Sequence, residues 1–180
     1  MTTWENETIC PVCKSTEVCT AYGPMDSPVL IVGDCPDPKS NMDITYNIPF
    51  INKSSGYRSG TATGTILFQL LKSLNWDYNH FRRMYLWGHN PNGNEKCYNH
   101  WKSQVIKEAI GKKLVLMIGT DAVKEFTGKS VMDVCGVKTQ SEFISAPILP
   151  CISLSAVFLS AGEVKLVMEK FSKELEKIYE

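Results

Sequence analysis

Four short apolar runs alternate with segments of helical spacing, and that alternation narrows the fold of this chain more than any other feature. Val29-Leu30-Ile31-Val32-Gly33 is continuous apolar sequence ending in glycine, as a strand buried on both faces of a parallel sheet requires. Met84 to Trp87, Leu114 to Ile118 and Ile148 to Ile152 predict three further strands. Between them, Ile66, Leu67, Leu70, Leu71 and Leu74 fall on one helical face within 64–75. A second helix, over roughly 98–110, places Trp101, Val105, Ala109 and Ile110 on one side. Thr120 or Asp121 is expected to cap a short helix that Gly128 ends, and Ser160 with Glu163 forms a capping-box start for a last helix. There Val164, Val167, Phe171, Leu175 and Ile178 face the core. Strands alternating with helices predict a three-layer α/β fold: a mostly parallel four-stranded sheet flanked by helices.

A chain of 180 residues, 43% of them hydrophobic, predicts one domain spanning 1–180. Residues 1–27 have few apolar periodic positions but hold three of the seven cysteines, so this segment needs something besides a core to order it. The polar start and the lack of a membrane-length apolar run predict a cytoplasmic chain with no membrane partner. Cysteines in a reducing compartment favour metal ligation over disulfides, and Cys10-Pro11-Val12-Cys13 puts two thiolates on one tight turn. Cys35, Cys135 and Cys151 read as small core residues. With 19 basic and 19 acidic residues, the chain lacks the global positive charge of a strong nucleic-acid binder, so any such binding relies on a local patch. Arg82, Arg83 and His80 read as a basic edge or a solvated loop.

In open parallel sheets ligands bind beyond the carboxyl ends of the strands. That rule selects Gly33-Asp34-Cys35-Pro36-Asp37, Tyr85 to Gly93, Gly119-Thr120 and Leu154-Ser155. In order and spacing these segments resemble the iron–sulfur branch of the uracil-DNA glycosylase superfamily. Cys10-Pro11-Val12-Cys13 resembles its leading cysteine pair, and Leu30 to Pro36 its strand ending in Gly-Glu-x-Pro. Gly56 and Gly64 fit its glycine-rich segment, and Trp87 to Asn94 resembles its Val-Lys-Cys-Arg-Pro-Pro-x-Asn-Arg stretch. Val115 to Gly136 follows its third strand and next helix.

The resemblance implies a metal site of Cys10, Cys13, His89 and Cys97, in which the family's four cysteines become three cysteines and a histidine. Family membership implies a [4Fe-4S] cluster; the donor set is an ordinary one for zinc. Cys19 and His100 are alternative ligands. The resemblance further puts the water-positioning acid at Asp34, beside Gly33, Cys35 and Pro36. It puts the stacking phenylalanine at Ser59, the base-reading asparagine at Tyr85, and the histidine of the His-Pro-Ser/Ala motif at Leu154, followed by Ser155. Phe50 or Tyr57 is a candidate replacement for the stacking ring, and Ser153, Ser155 and Ser160 are candidate phosphate contacts. Base excision needs a flipped base to be stacked, read and assisted as charge develops, and these substitutions remove three of those contributions. The expected function is a DNA-binding protein of this superfamily with excision weak, redirected to a modified base, or lost. An active DNA glycosylase and a zinc-binding module recognising a replication or repair partner are the alternatives. A nucleotide-binding enzyme of unrelated type ranks last, because Gly33 to Pro36 is no phosphate-binding glycine loop.

Overall fold

The structure is a computed structural model that describes residues 9–16, 18–36, 48–50, 61–89 and 94–180, without the side chains of 156–159. Four strands, β1 (Val29–Gly33), β2 (Arg82–Tyr85), β3 (Leu114–Ile118) and β4 (Ile148–Cys151), form one sheet of order β2-β1-β3-β4. Every neighbouring pair is parallel, with Gly33 opposite Tyr85 on one side and Ile118 on the other. Among the described residues they are accompanied by the α-helices α1 (Ala62–Ser73), α2 (Glu95–Glu108), α3 (Thr120–Thr127), α4 (Val131–Val134) and α5 (Val157–Tyr179), giving the three-layer α/β arrangement. No helix among the described residues is long and apolar enough to cross a membrane.

β1 and β3 are buried at every position because helices cover both faces, which is why they read as continuous apolar runs. From β2 at one edge the chain passes over β1 to β3 and β4. The strand order therefore reverses between β1 and β3, the place where open α/β sheets leave a crevice for ligands. Leu67 and Leu71 of α1, Trp101 and Val105 of α2, and Val164, Val167, Phe171 and Leu175 of α5 bury the predicted faces. Burial of each such side chain contributes about 1.5–3 kcal/mol of transfer free energy.

The boundaries depart from periodicity in instructive places. Ile110 is 74% exposed, because α2 ends two residues before it at Glu108. At Ser160 the backbone has φ −137° and ψ 47°, so α5 is kinked where a cap was expected. α3 begins at Thr120 and closes on Gly128, but its N-cap residue is Gly119, which has no side chain to cap with. Its N–H groups are satisfied from elsewhere, as described below.

The largest correction concerns Arg82 and Arg83. Both lie within β2 and both are 1% exposed, so they form neither a basic edge nor a solvated loop. Arg82 donates from Nε and Nη2 to the two carboxylate oxygens of Glu108 at 2.9 and 2.8 Å, and from Nη1 to the Gly23 carbonyl at 2.7 Å. The Arg83 guanidinium lies 3.8 Å from the centroid of the Tyr78 ring and donates to the Tyr78 carbonyl. Burial holds its pKa below the usual arginine range. Period-based reading fails here because the groups that allow these guanidinium groups to be buried, the Glu108 carboxylate for Arg82 and the Tyr78 ring and carbonyl for Arg83, come from other elements.

Removing one partner of such a pair strands the other charge. Glu108→Ala is expected to lower the unfolding free energy by about 3 kcal/mol in urea titration, and the double replacement Arg82→Met with Glu108→Leu to recover most of it. A loss below about 1 kcal/mol in the single variant would show the pair to be effectively solvated.

Candidate metal centre and strand-end cavity

The metal centre begins in a short turn. The Lys14 N–H donates to the Cys10 carbonyl at 2.9 Å and the Cys10 N–H to the Ser15 carbonyl at 2.7 Å, with Lys14 at φ 63°. This turn leaves Cys10 buried and Cys13 exposed at its rim. Cys97 comes from the first turn of α2, where Asn94 Oδ1 accepts from the Lys96 and Cys97 N–H groups at 3.1 and 3.3 Å. A helix N-terminus favours the thiolate form of a cysteine placed there.

His89 follows β2 through Gly88, and Gly88 is the position that admits α2. A Cβ there would stand 2.5 Å from the Trp101 ring and 2.8 Å from the Cys19 carbonyl, so any larger residue pushes the histidine and the helix apart. The Cys19 N–H donates to the Gly88 carbonyl at 2.7 Å, and the His89 ring meets Trp101 edge to face with centroids 5.9 Å apart. Cys10, Val18, Cys97 and Trp101, with Val12 and Trp87 against them, form a small apolar core separate from the main one.

Within it the four ligand atoms of Cys10, Cys13, His89 and Cys97 all lie within 4.8 Å of one another. Cys10 Sγ and Cys97 Sγ are 4.0 Å apart, and Cys13 Sγ is 3.5 Å from His89 Nε2. These four are close enough to hold one metal ion; Cys19 and His100 are not members of the cluster. Burial, reinforced by the neighbouring thiols, pushes Cys97 up to about 12. Cys13 is lowered, chiefly by a backbone hydrogen bond at Ser15. Three thiolates so close together need a cation, and binding one releases the protons they would otherwise keep. Cys35, Cys135 and Cys151 lie away from this cluster, and burial pushes the Cys151 thiol far up, as for an inert core residue.

The second feature lies at the carboxyl ends of the strands, where the order reverses. A cavity of about 80 Å³ is lined by Gly33, Asp34 and Cys35 after β1, Tyr85 of β2, and Ile118 and Gly119 at the end of β3. Phe50, Thr63 and Ser153 complete its wall. Phe50 and Tyr85 pack ring on ring, centroids 4.8 Å apart, and the Phe50 N–H donates to the Tyr85 hydroxyl at 3.1 Å.

Asp34 supplies the missing cap of α3. The Ala122 N–H donates to its Oδ1 at 2.7 Å, and the N–H groups of Asp121 and Thr120 also act on the carboxylate. Gly119, at φ 114°, makes this approach possible, since a Cβ there would lie 2.2 Å from Asp34 Oδ2. Burial raises the pKa of Asp34, with the nearby Asp121 charge adding to it and the helix N–H groups opposing it.

Of the predicted pocket residues, Gly33, Asp34, Cys35 and Tyr85 line the cavity, whereas Pro36, Leu154 and Ser155 do not. Leu154 is fully buried in the main core, and the exposed Ser155 shares a 2.7 Å hydrogen bond with Ser153. Ser59, Tyr57 and Asp37 lie outside the described residues. Gly119, selected with the strand-end segments, is on the wall, and so is Thr63, which no sequence signal marks. The two features adjoin: Leu86 N–H donates to the Gly33 carbonyl and Trp87 N–H to the Asp34 carbonyl, so the strand leading to His89 is pinned beside the cavity.

No family model matches the chain, and no curated protein is significantly similar to it.

A raised pKa means that Asp34 binds its proton more tightly in the folded protein than in the unfolded chain. Its ionisation therefore lowers stability as pH rises from the ordinary carboxylate value of about 3.9 through the raised one. Asp34→Asn keeps an acceptor for the Ala122 N–H without the charge, so urea unfolding from pH 3 to 7 should show the variant gaining on the wild type as pH rises. A wild type that gains on the variant instead would mean that the helix N–H groups outweigh burial.

Proposed function

We propose that this chain is a DNA-binding protein of the uracil-DNA glycosylase type in which one zinc ion stands in place of the family's iron–sulfur cluster and uracil excision is lost. The observation that carries the reading is the commitment of Asp34. Its Oδ1 accepts from the Ala122 N–H at the N-terminus of α3, and no imidazole stands at the buried Leu154 position to assist a departing base. Loss of one such donor alone lowers a rate by about two to three powers of ten. What remains is a crevice at a strand-order reversal, beside a segment whose cysteines are close enough to hold a metal ion, which suits recognition without chemistry.

Zinc is favoured over the cluster by spacing. Zn–S bonds of about 2.3 Å and Zn–N bonds of about 2.0 Å in a tetrahedron put ligand atoms roughly 3.5–3.8 Å apart. The Cys10–Cys97 and Cys13–His89 pairs, at 4.0 and 3.5 Å, lie near those values, and all four ligand atoms fall within 4.8 Å of one another. A cubane bonds each ligand to a different iron and so spreads its four ligand atoms farther than ligands that share one ion. A Cys₃His set is also an ordinary zinc set. Zinc would supply structural cross-linking of the 9–20 segment to α2, with no part in chemistry at the cavity.

Protein purified without oxygen is expected to be colourless and to contain one zinc per chain, and Cys97→Ser to lose it together with much of its resistance to protease near the N-terminus. Several irons per chain with visible absorption would overturn the zinc assignment. With uracil-containing DNA, the expected result is salt-sensitive binding and no abasic sites. Abasic sites that disappear in Asp34→Asn would establish an active glycosylase, and no DNA affinity at any ionic strength would leave a zinc-ordered partner-recognition module.

A further inference from the structure

Along the outer edge of the sheet, α5 and the segment before β4 enclose a second pocket of about 210 Å³. Gly136 and Leu149 form its apolar part, and Lys138, Lys170, Lys173 and Lys177 surround it with Glu174 as the single acid. Residues 170, 173, 174 and 177 share one face of α5 by their spacing. Lys138 stands opposite, brought there because the Gly136 N–H donates to the Pro150 carbonyl and the Thr139 backbone pairs with Ile148. Four ammonium groups against one carboxylate leave a local charge of +3 in a chain whose formal net charge is zero.

The arrangement is braced as well as charged. Glu174 accepts from Lys138 at one oxygen and from Lys177 at the other, both at 2.8 Å. The Lys170 ammonium donates to the Gly136 carbonyl at 2.9 Å. Each ammonium carries three donors, so these bonds hold the lysines in place and leave donors over. Lys173, exposed between them, makes no ion pair among the described residues.

We propose that this pocket binds a phosphate group. An excess of +3 is more than one carboxylate balances and suits a ligand carrying up to two negative charges on several acceptor oxygens. Leu149, on the pocket wall, is four residues from Ser153 on the strand-end cavity, at most about 14 Å along the chain, so a strand lying over the cavity reaches the pocket with its backbone. The phosphate source in that case is DNA, a step that rests on the proposed DNA-binding function; the site itself does not.

Two probes separate the claims: pyrophosphate followed by calorimetry, and a fluorescent DNA strand followed by anisotropy across a series of salt concentrations. Lys173→Ala with Lys177→Ala should weaken pyrophosphate binding about tenfold or more. The same variant should reduce the slope of log affinity against log salt for DNA by about 1 per lysine removed. Glu174→Gln, which frees Lys138 and Lys177, should tighten both, and Lys165→Ala elsewhere on α5 should change neither. Unfolding curves check that every variant folds as the wild type does. Pyrophosphate binding that responds to these variants without DNA affinity supports the site and removes the DNA reading. Pyrophosphate that fails to bind, or that binds indifferently to all of these variants, overturns the site; DNA binding indifferent to them removes DNA as its phosphate source and leaves the proposed function standing.

Discussion

A strand covered by helices on both faces can expose polar groups only at its ends, and in this protein that constraint governs where the cavity lies. β1 and β3 are wholly apolar and wholly buried, so the chemistry of the chain is concentrated where they stop. Asp34 leaves the end of β1 and is captured by the N–H groups that open α3 beyond the end of β3. That hydrogen bond joins the two sides of the strand-order reversal. It requires glycine at 119 and sets the Asp34 carboxylate on the cavity wall.

The metal centre answers a different shortage. Among the described residues, the segment 9–20 contributes Cys10, Val12 and Val18 to the small core and Cys19 to the main one, little apolar area to set against the conformational entropy of a chain of that length. A metal ion held by Cys10, Cys13, His89 and Cys97 would substitute for the missing apolar area, because binding free energy and folding free energy are shared when the site exists only in the folded chain. Gly88 is the hinge of this substitution: it lets Trp101 approach the backbone, which sets His89 beside the cysteine turn.

Charge is handled in two opposite ways. Arg82 and Arg83 are drawn inside and matched with Glu108 and with aromatic faces, where they brace the edge strand. The lysines of α5 stay in water and gather around one carboxylate, leaving an uncompensated positive surface beside β4. A chain neutral in total is thus uneven in space.

Periodicity in the sequence determined β1, β3 and β4, the faces of α1 and α5 and the parallel α/β class, since burial on two faces or on one stripe leaves a pattern in neighbouring residues; β2, expected at Met84 to Trp87, lies at Arg82–Tyr85 because its first two residues are arginines. Cys10 and Cys13 were legible as a ligand pair for the same local reason, and His89 and Cys97 only through the order of segments in a resembling family. The tertiary structure alone decided the rest. That Asp34 caps α3, that Glu108 receives Arg82, that Leu154 belongs to the core and that lysines from two segments converge beside β4 are consequences of contacts between distant parts of the chain. No window of consecutive residues records such contacts, because their energy depends on which helix end or strand edge the fold brings alongside.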